Sequence, residues 1–226
     1  MKKLIMILLL GVFLAPVFGQ DKETRNLRTF NKVSVGESIE LVIEQGDENV
    51  AYIETRGVNP DDVLTEITGS RLKIHMDRGM YFSTDVYIKL IYKEDLEGIK
   101  VSSSADLRSN SLIKSDDLLV QVSSSGDAEL DVDARSLDID VSSSGKLDIA
   151  GRADRLSIEV SSSGKVNGFD LTCGTVSADL SSSGRAEVTV VDKLVGEASS
   201  SGKLTYKGDP DKVLVDTSSS GRVRKY

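Results

Sequence analysis

Three consecutive serines recur seven times along the chain, beginning at Ser102, Ser123, Ser142, Ser161, Ser181, Ser199 and Ser218, at steps of 21, 19, 19, 20, 18 and 19 residues. Glycine follows six of the triplets (Gly126, Gly145, Gly164, Gly184, Gly202 and Gly221), and Ala105 follows the first. A unit of about nineteen residues is too short to enclose a core of its own. It must bury its apolar side against the next unit, which restricts the chain to a stacked repeat.

The residues around each triplet alternate with period two. Leu118, Val120 and Val122 precede one triplet; Leu137, Ile139 and Val141 the next; Leu156, Ile158 and Val160 the one after. The series continues through Val176, Ala178 and Leu180, then Leu194, Gly196 and Ala198, then Val213, Val215 and Thr217. Charged residues fill the intervening positions, and helical spacing is absent. Such alternation marks strands with one buried face. The expected fold is all-β: a single-stranded parallel β-helix (β-solenoid), regular over residues 101–226. Each coil should carry two short strands and two corners, and pair in register with the next at ~4.8 Å. Right-handed winding is preferred, as for parallel crossovers generally.

At each corner the first serine should face outward, the second inward, and the third should begin the turn. The glycine should then take positive φ. Serine is small, and its hydroxyl can satisfy turn backbone groups. A sugar-binding serine array is the alternative, but the triplet's presence in every coil favours a structural role. The position after each corner reads Asp106, Asp127, Lys146, Lys165, Arg185, Lys203 and Arg222. These side chains should face out and stack. Like charges at strand spacing repel, so the five basic rungs need counter-charges, partly from Asp148 and Glu187, or a polyanionic partner. Two readings stay open: a solvated face, or a polysaccharide-binding strip at Lys146, Lys165, Arg185, Lys203 and Arg222. An acidic group (Glu129, Asp131, Asp133, Asp138, Asp140) should occupy the opposite corner.

The first half lacks the repeat but keeps strand signals: Val33 and Val35; Ile39, Leu41 and Ile43 before a Gln45-Gly46-Asp47 turn; Val50 to Thr55; Leu72 to Met76; and Val86 to Tyr92. Asn59-Pro60-Asp61-Asp62 should form a short helical turn, and residues 78–84 a loop. This segment, residues 30–100, is expected to continue or cap the solenoid after a leader at 20–29. Residues 1–19 read as a secretory signal peptide: Lys2 and Lys3, an apolar run from Leu4 to Leu14, then small residues before Gln20. That run is shorter than the ~20 residues a bilayer span needs, and no other segment is apolar enough to cross a membrane. The protein is therefore expected in the periplasm, on the cell surface or outside the cell.

Composition excludes several functions. The formal charge of −8 argues against nucleic-acid binding, which needs a basic surface. One His and one Cys leave no His/Cys ligand cluster for a metal, and no cofactor motif is present. Cys173 has no partner for an internal disulfide and reads as a buried, inert thiol. His75 offers no catalytic dyad. The carboxylate pairs Asp131/Asp133 and Asp138/Asp140 sit about 6.6 Å apart along a strand, a workable separation for glycosidase chemistry, but without a nearby aromatic platform.

The early strand Ser38-Ile39-Glu40-Leu41-Val42-Ile43-Glu44-Gln45-Gly46, then Gly69-Ser70-Arg71-Leu72-Lys73-Ile74, then Val86-Tyr87-Ile88 leading into Ile99-Lys100-Val101-Ser102, followed by the serial Ser-Ser-Gly corners, resemble the autotransporter adhesin head GIN domain family of bacterial envelopes. The resemblance spans about residues 30–224. It implies an exported β-helix and, through the family name, adhesion or surface interaction; it brings no catalytic signature. The expected function is a non-catalytic envelope or surface protein that binds glycan or surface polymer through a solenoid face. The alternatives are a β-helix polysaccharide lyase or hydrolase, or a structural element that self-assembles through its solenoid ends.

Overall fold

The computed structural model describes residues 21–77, 79 and 84–226. The expected signal peptide lies outside them, as does most of the expected loop at 78–84. Seventeen strands follow one another: β1 (Asp21–Asn26), β2 (Lys32–Val35), β3 (Glu40–Gln45), β4 (Val50–Arg56), β5 (Val63–Thr68), β6 (Arg71–Met76), β7 (Asp85–Tyr92), β8 (Gly98–Val101), β9 (Asp106–Ser109), β10 (Ile113–Val122), β11 (Asp127–Val141), β12 (Lys146–Val160), β13 (Lys165–Leu180), β14 (Arg185–Ala198), β15 (Lys203–Lys207), β16 (Lys212–Thr217) and β17 (Arg222–Lys225). The helical turn expected at Asn59 is a single 3-10 turn, Pro60–Asp62, capped by the Asn59 side chain.

The repeats stack as a β-solenoid. Leu118, Leu137, Leu156, Val176, Leu194 and Val213 face one another in parallel register from β10 to β16. Leu118 to Leu194 are all buried. Complete burial of one such side chain contributes about 1.5–3 kcal/mol. A column of this kind therefore supplies what a lone coil lacks.

Each central coil is one long strand, not the two short strands anticipated; β11, for example, runs unbroken for 15 residues. The second corner is a slip in alternation, with two successive side chains turned away from the core (Arg135-Ser136 in β11, Asp154-Arg155 in β12). The strand bends there without leaving its ladder, so no turn residue is required.

The serine corners differ from expectation in both particulars. Positive φ belongs to the second and third serines of every triplet, from Ser103 and Ser104 to Ser219 and Ser220, and to none of the corner glycines. Both serines are exposed, and the first is half-buried in every triplet but the last, where Ser218 is exposed too, so the second does not point inward. Each glycine N–H donates to the carbonyl of the first serine, as Gly164 does to Ser161 at 2.8 Å. Two consecutive positive-φ residues spanned by such a bond are the mark of a type I′ turn, the tight turn whose twist suits adjoining strands. The turns also bond to each other: the third serine's N–H donates to the second serine's carbonyl in the next coil, as in Ser144 to Ser162 at 3.1 Å.

Glycine is needed for a different reason. A Cβ on Gly164 would lie 2.5 Å from the Val141 carbonyl oxygen in the preceding coil, and one on Gly145 2.6 Å from that of Val122. The approach is looser at Gly126, 3.1 Å from its nearest neighbours, and the coil before it accommodates Ala105.

The N-terminal segment extends this stack out of sequence order. Strands β2 and β3 pair in parallel with β8 and β9, and β6 and β7 pair with β2 and β3 from the other side. The chain between β2 and β3 forms the same corner as the triplets, with Glu37 and Ser38 at positive φ and the Ser38 N–H bonded to Ser103 O. Antiparallel strands then close the end: β5 on β6, β4 on β7 and β1 on β4. β1 lies in the segment read as a plain leader. Its lack of apolar alternation hid a strand held by main-chain pairing and by Arg25, which reaches Pro60 O at 2.9 Å.

Candidate functional site

One outward face of the solenoid follows directly from the register. The residue after each corner stacks on its copy, giving Glu40, Asp106, Asp127, Lys146, Lys165, Arg185, Lys203 and Arg222 in one column across β3, β9, β11, β12, β13, β14, β15 and β17. Three acidic rungs give way to five basic ones. Two residues further along the strands runs a second column, Arg108, Glu129, Asp148, Asn167, Glu187, Thr205 and Arg224.

The boundary between the two signs is internally compensated. Lys146 pairs with Asp127 at 3.7 Å and with Asp148, and the hydrogen bond it donates to Asp148 raises its proton affinity. Burial alone would raise Asp148. Hydrogen bonds from Asn167 and Lys146, with the charges of Lys146 and Lys165, outweigh it and hold that carboxyl below its ordinary value. Of the two counter-charges anticipated, Asp148 is therefore committed to Lys146. Glu187 forms no ion pair among the described residues. Beyond Lys146, the exposed side chains of Lys165, Arg185, Lys203 and Arg222 have no acidic partner within ion-pair distance among the described residues, at a spacing of ~4.8 Å.

A third column on this face supplies what the sequence did not reveal. Phe169 stands on β13, Lys207 on β15, and Tyr226 follows β17. Their rings meet edge to face at 5.2 Å between centroids, and the Lys207 ammonium lies 4.0 Å from the Phe169 centroid and 4.6 Å from that of Tyr226. Phe169 shares the outward phase of Lys165 and Asn167, and the ladder between β13 and β14 slips around it, between Gly168 and Thr172. Thr189 fastens the displaced strand by donating to Phe169 O at 2.7 Å. Tyr226 stays 78% exposed. The signal was present in the alternation, since Lys165, Asn167 and Phe169 share one phase, as do Lys203, Thr205 and Lys207, and Arg222, Arg224 and Tyr226.

A second concavity, of about 990 Å³, lies over β2, β8, β10 and β11. Part of its charge is paired: Lys32 with Glu97 at 3.7 Å, Arg135 with Asp117 at 2.9 Å, and Arg152 with Asp133 at 2.6 Å. Asp133 was a candidate glycosidase carboxylate. The Arg152 hydrogen bond is the main influence on it and holds its carboxyl below the usual range, the wrong direction for a general acid. Asp140 meets Gln121 at 3.4 Å, not a second carboxylate. His75 has both ring nitrogens engaged, Nε2 with Glu66 at 3.1 Å and Nδ1 with Met76 O at 3.0 Å. Cys173 is buried, and burial pushes its thiol up to about 12. No group of three or more His, Cys, Asp or Glu side chains among the described residues is arranged to hold a metal.

The fold is shared with solved proteins of Bacteroides and Parabacteroides. A "putative adhesin" from Bacteroides fragilis superposes with a TM-score of 0.78 at 16% identity, covering 93% of this chain and 99% of that one. A "putative adhesin" from Parabacteroides merdae gives 0.71 at 21% identity, with 92% and 96% covered. A "putative lipid binding protein" from Parabacteroides distasonis gives 0.73 at 21% identity over the same shares. No curated protein matches the sequence. The family model described as "Putative auto-transporter adhesin, head GIN domain" matches residues 29–210, most of the chain. The chain belongs to that head GIN domain family.

Proposed function

We propose that the protein is a non-catalytic, exported envelope or surface protein that binds an acidic polysaccharide along the C-terminal part of this face. Carboxylate or sulfate groups meet Lys165, Arg185, Lys203 and Arg222, and sugar rings lie over Phe169 and Tyr226. The observation that carries the reading is the run of four stacked cations without an acidic partner at ion-pair distance among the described residues. Their mutual repulsion costs stability, and a polyanion relieves it. Exposed charge contacts contribute about 0.2–1 kcal/mol each. Four such contacts with one or two ring contacts give millimolar to high-micromolar affinity per site, strengthened on a long polymer by multivalency and weakened by salt.

Titration with polyuronates, sulfated glycans and neutral glycans tests this. The triple variant Lys165→Glu, Arg185→Glu, Lys203→Glu should abolish binding of the acidic polymers, while Lys146→Glu, whose parent residue is already paired, should change it less than threefold. Unchanged binding by the triple variant removes the face as the site. Preference for neutral glycans, or for anionic lipid vesicles over acidic polymers, replaces the ligand class. Release of reducing or unsaturated ends from a polyuronate would establish the enzyme reading instead.

A further inference from the structure

The stack closes at one end with antiparallel strands, while at the other β16 and β17 each have a described neighbour on one side alone. β16 pairs with β14 on one side and with no described strand on the other. The main-chain groups of such an edge are open to pairing. Val213 and Val215 continue the buried columns of Leu194 and Gly196, yet they stand 40% and 47% exposed, with no further coil over them among the described residues. Leu214, on the opposite side of the strand, is 47% exposed.

The residues of this edge are complementary to their own reverse: Lys212, Val213, Leu214, Val215, Asp216. Laid antiparallel on a copy of itself about Leu214, the strand sets Lys212 against Asp216 of the copy, Val213 against Val215 and Leu214 against its own copy. Both apolar columns then continue across the junction. We propose that the C-terminal end of the solenoid docks a second copy of this chain, joined β16 to β16 about a twofold axis at Leu214. The contact is isologous and therefore closes at two chains. The companion edge opposes pairing, since β17 carries Arg222, Arg224 and Lys225. The two solenoids accordingly meet along β16 and diverge along β17. This inference is independent of the ligand proposed above.

Sedimentation velocity of the purified protein across a concentration series tests it. The expected result is a monomer–dimer equilibrium. Lys212→Asp or Asp216→Lys alone turns two symmetry-related attractions into repulsions and should weaken the dimer roughly tenfold. The double exchange should restore it, and Leu214→Arg should leave monomer. All of these positions are exposed, and circular dichroism checks that each variant is folded. A monomer at every concentration, masses that keep growing as in a head-to-tail filament, a dimer indifferent to the single exchanges, or a double exchange without recovery would each overturn the proposal.

Discussion

Replacing Gly164 by alanine tests whether the corner glycines answer to the neighbouring coil or to the turn itself. The added Cβ would sit 2.5 Å from Val141 O, 2.9 Å from Val141 C and 3.0 Å from Ser161 O, all main-chain atoms. Val141 O already accepts the Ser161 N–H at 3.0 Å, so the displacement of at least about 0.5 Å that a normal contact demands falls on an inter-coil hydrogen bond. Overpacking costs about 1–3 kcal/mol, and a weakened backbone bond about 0.5–1.5 kcal/mol more. We expect a loss of about 2–4 kcal/mol, or about 5–15 °C in melting temperature for a chain of this size. Gly126→Ala is the control. Its Cβ meets its nearest neighbours at 3.1 Å, so the coil need yield only a few tenths of an ångström. The smaller unfolded-state entropy of alanine returns about 0.4–1 kcal/mol, and the net change should stay within about 1 kcal/mol. Thermal and urea unfolding followed by circular dichroism measure both. Equal destabilisation by the two substitutions would refute the close-approach argument.

The serine turns and the buried thiol give two more tests. Ser143 and Ser144 hold positive φ without glycine's freedom, a conformation costing about 1–2 kcal/mol for residues bearing a Cβ, so Ser143→Asn with Ser144→Gly should raise the urea midpoint. A lowered midpoint would mean that the hydroxyls contribute more than the backbone strain costs. Cys173 should resist thiol reagents in the native state. With its thiol pushed from 9.0 to about 12, it is neutral in both states below pH 9. Between pH 9 and about 12 only the unfolded chain ionises there, so stability falls by up to ~1.4 kcal/mol per pH unit; Cys173→Ala should lack this component, and rapid native labelling at neutral pH would contradict it.

The period of the triplets and the alternation beside them were sufficient to define a parallel stack, because a unit this short has only its copies to bury against. The vertical column through Leu137, Leu156, Val176 and Leu194 and the sign change along the ladder could both be read before any coordinates. The corner chemistry could not. Sequence places Ser-Ser-Ser-Gly at a turn, but whether serine or glycine takes the left-handed conformation depends on how near the preceding coil lies. The corner at Glu37 and Ser38 lacked the serine signature altogether and emerged from its register with β8 and β9.

What the linear chain determined, then, is the repeat and the sorting of side chains inward or outward, since period-two alternation is a local property that each strand expresses wherever it lies. Tertiary structure alone decided which outward side chains find partners across the coils. It packs the Phe169 and Tyr226 rings edge to face with the Lys207 ammonium over both, and the out-of-order insertion of β2 and β3 between β6–β7 and β8–β9 places the Lys32–Glu97 pair at the groove over β10 and β11. Both outcomes depend on contacts between segments distant in sequence, whose pairing is fixed by burying the common core and not by any residue's own preference.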